Sequence, residues 1–283
     1  MGRKYSKEEL EQLHVVLLEI LSEIVRVCNK LNISYFIQGG TAMGAYFENN
    51  ILPWDDDIDV GMLRSDYERF LSEAPSVLDN KYFLAWIGSD PNTPFYFAKV
   101  RKNNTTFLEE NCKNIKMHHG IFVDIFPFDK IPDDAFKAKL QRKMSNHLSS
   151  WLIAKSTWPW KYCGKCDLEN PDKKGFLDCL FTRIISTIIP KNTIYSWLCN
   201  IQKKYNTKPC TYYNIVMTNV DQIPVVDIEN MEKIMFGEQY VNVPAHLEEY
   251  LHHHYGKNIQ RTPPIEKQIN HAPLKLSFTE EVI

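Results

Sequence analysis

Apolar side chains recur every three or four residues along the first thirty positions of the chain. They are Leu10, Leu13, Leu17, Ile20, Leu21, Ile24, Cys28 and Leu31. This spacing predicts an amphipathic helix of about six turns. Ser6 and Glu9 have the spacing of a capping box, which favours a helix start just after Ser6. A short strand at residues 33–37 is predicted to follow, because the helical period stops there.

The residues Gly39, Gly40 and Thr41 follow this strand directly. Two glycines let the backbone turn tightly and approach a ligand, and Thr41 is suited to cap a helix predicted from Ala42 to Phe47. The start of such a helix directs backbone N–H groups at an anion. We therefore expect these three residues to bind phosphate, although a plain turn explains a glycine pair equally well.

Residues 54–60, Trp-Asp-Asp-Asp-Ile-Asp-Val, combine a dense negative charge with alternating apolar positions. Alternation predicts a strand in which Asp57 and Asp59 share one face while Ile58 and Val60 enter the core. Two adjacent carboxylates repel each other unless a cation lies between them. Their oxygens suit a hard divalent ion, Mg²⁺ or alternatively Mn²⁺. A solvated acidic turn, the other interpretation, does not require apolar residues at alternate positions.

Residues 121–127, Ile-Phe-Val-Asp-Ile-Phe-Pro, predict a central strand that is apolar on both faces apart from Asp124. Burying one carboxylate is costly unless it is paired or binds a metal. Asp124 is thus predicted to be a third metal ligand and a general base, with a hydrogen-bonded structural acid as the alternative. On a nearby predicted strand, Lys99 and Arg101 share a face. There they would neutralise phosphate or form a solvated strand edge.

The second half of the chain is predicted to be mainly helical. A helix from Asp133 to about Ala154 is expected to pack through Phe136, Leu140, Met144, His147 and Trp151. Cys163 and Cys166 form half of a zinc site, but free thiols are favoured over structural zinc. Because no linker is visible, we expect one domain over residues 1–283. Its catalytic core would cover about 30–130, and a helical and C-terminal part about 131–283.

Composition narrows the class of protein. The 283 residues are 44% hydrophobic and 24% charged, as in ordinary soluble domains. The net charge of −2, from 33 basic and 35 acidic residues, argues against binding to long nucleic acid. Seven cysteines, an odd number, argue against a secreted disulfide framework. Without an apolar signal core or spanning segment, the protein is expected in the cytoplasm, including the inner face of the membrane if its acceptor is lipid-linked.

Taken in order, the glycine turn, the acidic segment at residues 53–60 and the strand around Asp124 resemble the LicD family, which belongs to the nucleotidyltransferase superfamily and is related to fukutin-type proteins. The C-terminal pattern is also similar, through Tyr250, Leu251, Tyr255, Gly256, Pro263, Pro264 and His271. This resemblance implies an α+β fold, a nucleotidyltransferase-like mixed sheet flanked by helices, with helical insertions.

The resemblance also implies an activity: Mg²⁺-dependent transfer of phosphocholine, or a related phospho-alcohol, from a CDP-linked donor to a sugar hydroxyl. The acceptor would be a cell-surface glycan such as lipopolysaccharide, capsule or teichoic acid. Matching positions imply metal ligation by Asp57, Asp59 and Asp124, phosphate binding by Gly40 and Thr41, and auxiliary roles for Asp55, Asp56 and His271. Many family members carry an Arg-His pair where this chain has Phe47-Glu48, which leaves the identity of the alcohol open.

Two other functions fit the same residues. One is nucleotidyl transfer, in which attack falls on the α-phosphorus of a triphosphate and an NMP moves to a small acceptor. The three acids would serve both reactions, so sequence does not separate them. The other is a non-catalytic nucleotide- or glycan-binding protein with a relic site. Loss of one acid would mark such a relic, and all three are present.

Overall fold

The apolar spacing near the N-terminus forms helix α1, Lys7–Leu31, in the computed structural model, which describes residues 4–156, 184, 187–218, 220–264, 268 and 270–279. The predicted capping box is present, since the Ser6 hydroxyl accepts from Glu9 N and the Glu9 carboxylate accepts from Ser6 N. The helix ends at Asn32, whose φ of 50° is left-handed. One face of α1 is fully buried and begins the core.

The described residues continue through further helices and strands. The helices are α2 (Gly39–Glu48), α3 (Arg64–Glu73), α4 (Ala135–Ser156), α5 (Lys191–Gln202), α6 (Val225–Glu229) and α7 (Leu247–Tyr255). The strands are β1 (Phe36–Ile37), β2 (Asp59–Leu63), β3 (Tyr82–Ala85), β4 (Ala98–Lys102), β5 (Thr106–Leu108), β6 (Phe122–Ile131), β7 (Tyr212–Asn214), β8 (Ile223–Pro224), β9 (Glu232–Phe236), β10 (Gln239–Val243) and β11 (Lys275–Ser277).

A mixed sheet organises these elements in the order β1-β2-β6-β4-β3. The pair β2–β6 is parallel, and β1–β2, β4–β6 and β3–β4 are antiparallel. The last residues of the long strand β6 pair with β7, which pairs with β8. The predicted α+β fold with a mixed sheet and a helical region is therefore confirmed, and β6 is central as its apolar sequence predicts.

The core has two parts. The larger one joins α1 and α2 to the sheet, and it includes Ile58 and Val60, both fully buried as predicted. The smaller one lies between α4 and α5 and consists of Ile87, Leu148, Leu152, Ile194 and Leu198. Among the described residues, no helix combines the length and the apolar character needed to cross a bilayer.

Two predicted boundaries are wrong, and both concern the site. Helix α2 begins at Gly39 and not at Ala42, because Gln38 occupies the cap position, so Thr41 lies inside the helix and does not cap it. The Thr41 hydroxyl instead accepts from Asp59 N at 2.8 Å. Strand β2 begins at Asp59, and Asp57 lies just before it. The carbonyl of Ile58 still accepts from Asp124 N at 3.0 Å, which carries the strand pairing one residue further.

Helix α4 is present, but the packing face predicted for it is wrong. Phe136, Leu140 and Met144 are 75%, 45% and 41% exposed, His147 is exposed, and Trp151 is half-buried. The buried residues are Gln141, Ser145, Leu148, Ser149 and Leu152. Helix α5 supplies partners for some of the polar groups buried here, whereas Gln141 Oε1 and Ser145 Oγ have none among the described residues. The Gln141 side-chain amide, for instance, donates to the carbonyls of Ile201 and Gln202, both at 3.0 Å.

The prediction for Cys163 and Cys166 lies outside the described residues. Within the part of the chain that the structure describes, Cys28, Cys112, Cys199 and Cys210 are free thiols.

Candidate active site

Three predicted site residues lie side by side across three strands. Asp59 on β2 is the register partner of Asp124 on β6, and Asp124 is the register partner of Lys99 on β4. Register partners on adjacent strands point to the same face of a sheet. The Lys99 ammonium lies 2.8 Å from Asp124 Oδ1 and 3.2 Å from its Oδ2. The sheet therefore brings two of the three predicted acids together and pairs one of them with a lysine.

Negative charge is concentrated at this end of β2. Burial first, and then the charges of Asp57 and Asp124, raise the pKa of Asp59 well above its ordinary value. Burial raises the pKa of Asp124 to about 6, although Lys99 acts against the rise. Burial, followed by the charges of Asp57 and Asp56, raises the pKa of Asp55 to about 8. The acids thus share one poorly solvated volume in which their charges oppose one another.

The first turn of α2 borders this acidic volume. Gly39 has a left-handed φ of 55°, and its N–H donates to the Tyr250 hydroxyl at 2.9 Å. A Cβ at Gly40 would lie 2.7 Å from Asp55 Oδ2 and 3.9 Å from the Tyr255 hydroxyl. Only a glycine at position 40 leaves room for the Asp55 carboxyl group against the start of this helix. The predicted phosphate-binding turn and the predicted metal-binding acids are therefore neighbours.

Asp56 differs from the other acids because its oxygens are already bonded. They accept from the Tyr5 hydroxyl at 2.7 Å and from the backbone N–H of His271 at 2.8 and 3.0 Å. Asp56 therefore ties the start of the chain and the C-terminal segment to the acidic segment. In addition, His14 Nε2 lies 2.8 Å from the Asp55 carbonyl oxygen. The His271 imidazole is 76% exposed.

Two sets of ligand atoms are candidates for a divalent ion. The predicted set is Asp57, Asp59 and Asp124, whose carboxylate oxygens suit Mg²⁺ and whose mutual repulsion a cation would relieve. In the described part of the chain, Asp56, Asp57 and His271 are the set whose ligand atoms lie within 4.8 Å of one another, and the predicted set does not come that close. The three hydrogen bonds on Asp56 make it the poorer ligand, so the donor chemistry favours the predicted set.

Lys99 and Arg101 are buried, so the interpretation as a solvated strand edge is wrong. Strand β4 lies between β3 and β6. The Lys99 ammonium lies 3.4 Å from the ring centre of Phe122 and 4.5 Å from that of Phe95. Arg101 is fully buried, and its Nη1 donates to the Gly120 carbonyl at 2.9 Å. A role for either residue in binding phosphate stays a prediction.

Sequence reasoning did not find the aromatic residues that reach the acids from distant parts of the chain. They are Tyr5 on Asp56, Tyr250 on Gly39 and Tyr255 beside Gly40. The C-terminal pattern that contains Tyr250 and Tyr255 was the available signal.

Glu48, one of the two residues that replace the Arg-His pair, accepts two hydrogen bonds from Arg261, both at 2.8 Å. A cation from the C-terminal segment therefore offsets the acid that stands at this position.

Comparisons with known proteins agree with this geometry. Residues 32–150 match the family described as "LicD/FKTN/FKRP, nucleotidyltransferase domain". The chain is 27% identical over 280 residues to the lipopolysaccharide cholinephosphotransferase LicD of Haemophilus influenzae, a match covering 94% of this chain and 96% of that protein. It is 34% identical over 50 residues to human ribitol-5-phosphate transferase FKTN, covering 18% of this chain and 11% of that protein.

A mixed sheet that brings acids from two strands to the first turn of a helix is consistent with a nucleotidyltransferase-like fold, and the relatives named above are transferases. Residues 32–150 match the domain that the LicD family shares, and the chain is similar over most of its length to a LicD transferase.

Proposed function

We propose that this protein transfers a phospho-alcohol, phosphocholine or a close relative, from a CDP-linked donor to a sugar hydroxyl of a cell-surface glycan. Both relatives named above are transferases of phosphorylated alcohols, which supports the class of reaction. The observation that carries the proposal is the alignment of Asp59 with Asp124 beside the first turn of α2. That arrangement suits a diphosphate, which requires both a cation and backbone N–H donors.

The reaction breaks the phosphoanhydride bond of the donor and forms a phosphoester bond to the sugar. The sugar hydroxyl oxygen attacks the distal phosphorus of the donor, the bond to CMP breaks, and CMP leaves with the bonding electrons. The hydroxyl proton passes to a carboxylate, and Asp124 is suited to accept it. In the metal-free protein burial raises the pKa of Asp124 to about 6, so its carboxylate is more basic than that of an ordinary aspartate before a metal binds.

The other residues would bind and orient the substrates. Asp57, Asp59 and Asp124 would hold Mg²⁺, or Mn²⁺, which when bound supplies positive charge to the phosphates. Gly39 and Gly40 would bind a phosphate oxygen at the start of α2. Lys99 would neutralise phosphate charge if its ammonium left the Asp124 carboxylate and paired with a phosphate of the donor. Tyr255 would also orient the donor, because its hydroxyl lies beside Gly40 and Asp55.

The test is a screen of CDP-choline, CDP-ethanolamine and other CDP-linked alcohols with Mg²⁺ and candidate glycans, measured by CMP release. Asp57→Asn and Asp59→Asn are expected to lower turnover by about a hundredfold or more, since each removes a metal ligand. Glu110→Gln, at a side chain that is 66% exposed, is the matched control. Near-normal turnover in either Asn variant, or pyrophosphate release from a triphosphate in place of CMP release, would reject the proposal.

A further inference from the structure

Helix α4 turns a row of apolar side chains outward. Phe136, Leu140 and Met144 follow one another at intervals of four residues and are 75%, 45% and 41% exposed. Residues four apart lie on the same side of a helix, so these three form one stripe. The inward side carries Gln141, Ser145 and Ser149, and its apolar residues Leu148 and Leu152 belong to the second half of the helix. A helix that only packed on its own protein would have the apolar residues inside and the polar ones outside.

Basic side chains border this stripe. The charged residues of α4 are Lys137, Lys139, Arg142, Lys143 and Lys155, and residues 135–156 include no Asp or Glu. At 100° per residue, Lys143 falls beside Phe136 and Lys137 falls beside Met144, on the opposite edge of the stripe. Both lysines are exposed. The stripe therefore has positive charge along both edges, and we call it, with Lys137 and Lys143, the α4 outer face.

Two acids, Asp133 and Asp134, directly precede α4 in the chain, and both carboxylates accept hydrogen bonds from backbone N–H groups. Asp134 Oδ1 accepts from the N–H of Lys137 at 2.8 Å, and Asp133 Oδ1 accepts from the N–H of Thr211 at 2.9 Å. Both carboxylates thus lie at the N-terminal end of α4, where they satisfy backbone donors.

We propose that the α4 outer face binds an anionic phospholipid surface. Phe136, Leu140 and Met144 would enter the boundary between headgroups and acyl chains, while the lysines contact phosphates. An apolar stripe with lysines along its edges is typical of helices that lie in this interface. Lysine suits the position because its methylene stem covers apolar surface while its ammonium reaches the headgroups. The inference goes beyond the proposed reaction and does not rest on it.

Charge complementarity favours a membrane over a second copy of this chain. In a two-fold dimer through the α4 outer face, the lysines of one copy would face those of the other. Like charges brought together across an interface oppose association. An anionic bilayer reverses this effect, since each lysine near its surface adds attraction.

The experiment is co-sedimentation of the full chain with vesicles. One set is phosphatidylcholine alone, and the other is equal parts of phosphatidylcholine and phosphatidylglycerol. The wild-type chain is expected to bind the anionic vesicles and to lose binding as salt is added. The pair Lys137→Gln and Lys143→Gln is expected to lower the partition coefficient by about 30-fold, about fivefold for each lysine. The triple Phe136→Ser, Leu140→Ser, Met144→Ser is expected to lower it by more than about a hundredfold.

The matched control combines Val15→Ser, at a residue that is 66% exposed on α1, with Lys116→Gln and Lys233→Gln at exposed lysines outside α4. It removes the same kinds of groups elsewhere and is expected to bind like the wild type. Thermal unfolding checks that each variant is folded. The proposal is overturned if the wild-type chain does not bind anionic vesicles, or if the control loses binding as the two α4 variants do. A wild-type dimer that the triple variant dissociates, without vesicle binding, would assign the face to a second copy.

Discussion

Lys99 and Asp124 lie opposite each other on adjacent antiparallel strands, with the ammonium nitrogen 2.8 Å from a carboxylate oxygen. Both residues are buried, Lys99 at 3% and Asp124 at 8% exposure. The rings of Phe95 and Phe122 enclose the ammonium further. Lys99 thus supplies, from within the protein, positive charge at an acid that we expect to bind a divalent ion.

Removing this lysine should destabilise the protein until a metal is added. Lys99→Met leaves the Asp124 carboxylate buried without its cation, which is expected to lower the free energy of unfolding by about 3 kcal/mol near pH 8. Mg²⁺ should restore part of this loss, because the ion supplies positive charge to the same acid. Urea unfolding with EDTA and with Mg²⁺ measures both effects. Lys116→Met at an exposed site is the control, and an equally small change in both variants would contradict the prediction.

The stability of the metal-free protein should depend on pH through its raised acids. The pKa values of Asp55 and Asp124 in the folded state, about 8 and about 6, exceed the ordinary value of 3.8. At a pH between the ordinary pKa and the raised pKa, each acid binds more protons in the folded state than in the unfolded state. The stability that these bound protons contribute is therefore lost as pH rises from about 4 to about 8. In EDTA the melting temperature of the wild type should therefore fall with pH more steeply than that of Asp55→Asn. Mg²⁺ binds the deprotonated acids, so it should stabilise the wild type more at high pH. Identical pH slopes for the two proteins would contradict this assignment.

The sheet could be predicted because its signals are local. The apolar residues Ile58 and Val60 alternate with acids, and the run before and after Asp124 is apolar on both faces. The same signals predicted that the acids would lie near one another, as the register of Asp59 and Asp124 now shows. The start of α2 was misjudged because Gly39, which disfavours a helix by propensity, occupies its first position.

Contacts between distant parts of the chain could not be predicted. Tyr250 and Gly39 are 211 residues apart, and His271 and Asp56 are 215 apart, so no local period relates them. The prediction of the packing face of α4 was wrong for another reason. Periodicity identifies an apolar face but does not say what covers it, and α5 packs on the other side through bonds to Gln141.

Adding one methyl group at Gly40 should displace Asp55. The Cβ of Gly40→Ala would lie 2.7 Å from Asp55 Oδ2, so the carboxyl group must move. We expect weaker binding of CDP-choline by calorimetry, because the start of α2 and the acids are then misaligned. In an Asp55→Ala background the same substitution should leave CDP-choline binding unchanged. There it should leave the free energy of unfolding unchanged or raise it by up to about 1 kcal/mol, since alanine favours a helix. If Gly40→Ala weakened binding equally in both backgrounds, the collision would not be the cause.

Arg64, the first residue of α3, and Asp129 on β6 form a buried ion pair five residues beyond Asp59 and Asp124. Arg64 Nε donates to Asp129 Oδ1 at 3.0 Å, and the Asn206 amide donates to the same oxygen at 2.7 Å. Asp129→Leu should cost about 3 to 5 kcal/mol of unfolding free energy, because it leaves a buried guanidinium without its acid.

The double variant Arg64→Met, Asp129→Leu should lose less than either single variant, since no uncompensated charge remains. Urea unfolding of the wild type, the two single variants and the double variant measures the coupling between Arg64 and Asp129 in a double-mutant cycle. Strand residues rise about 3.3 Å each, so the pair lies about 16 Å from the acids. Turnover per folded molecule is therefore expected to match the wild type in every variant, measured well below the melting temperature. A selective loss of turnover in a folded double variant would instead mean that the ion pair positions the acids along β2 and β6.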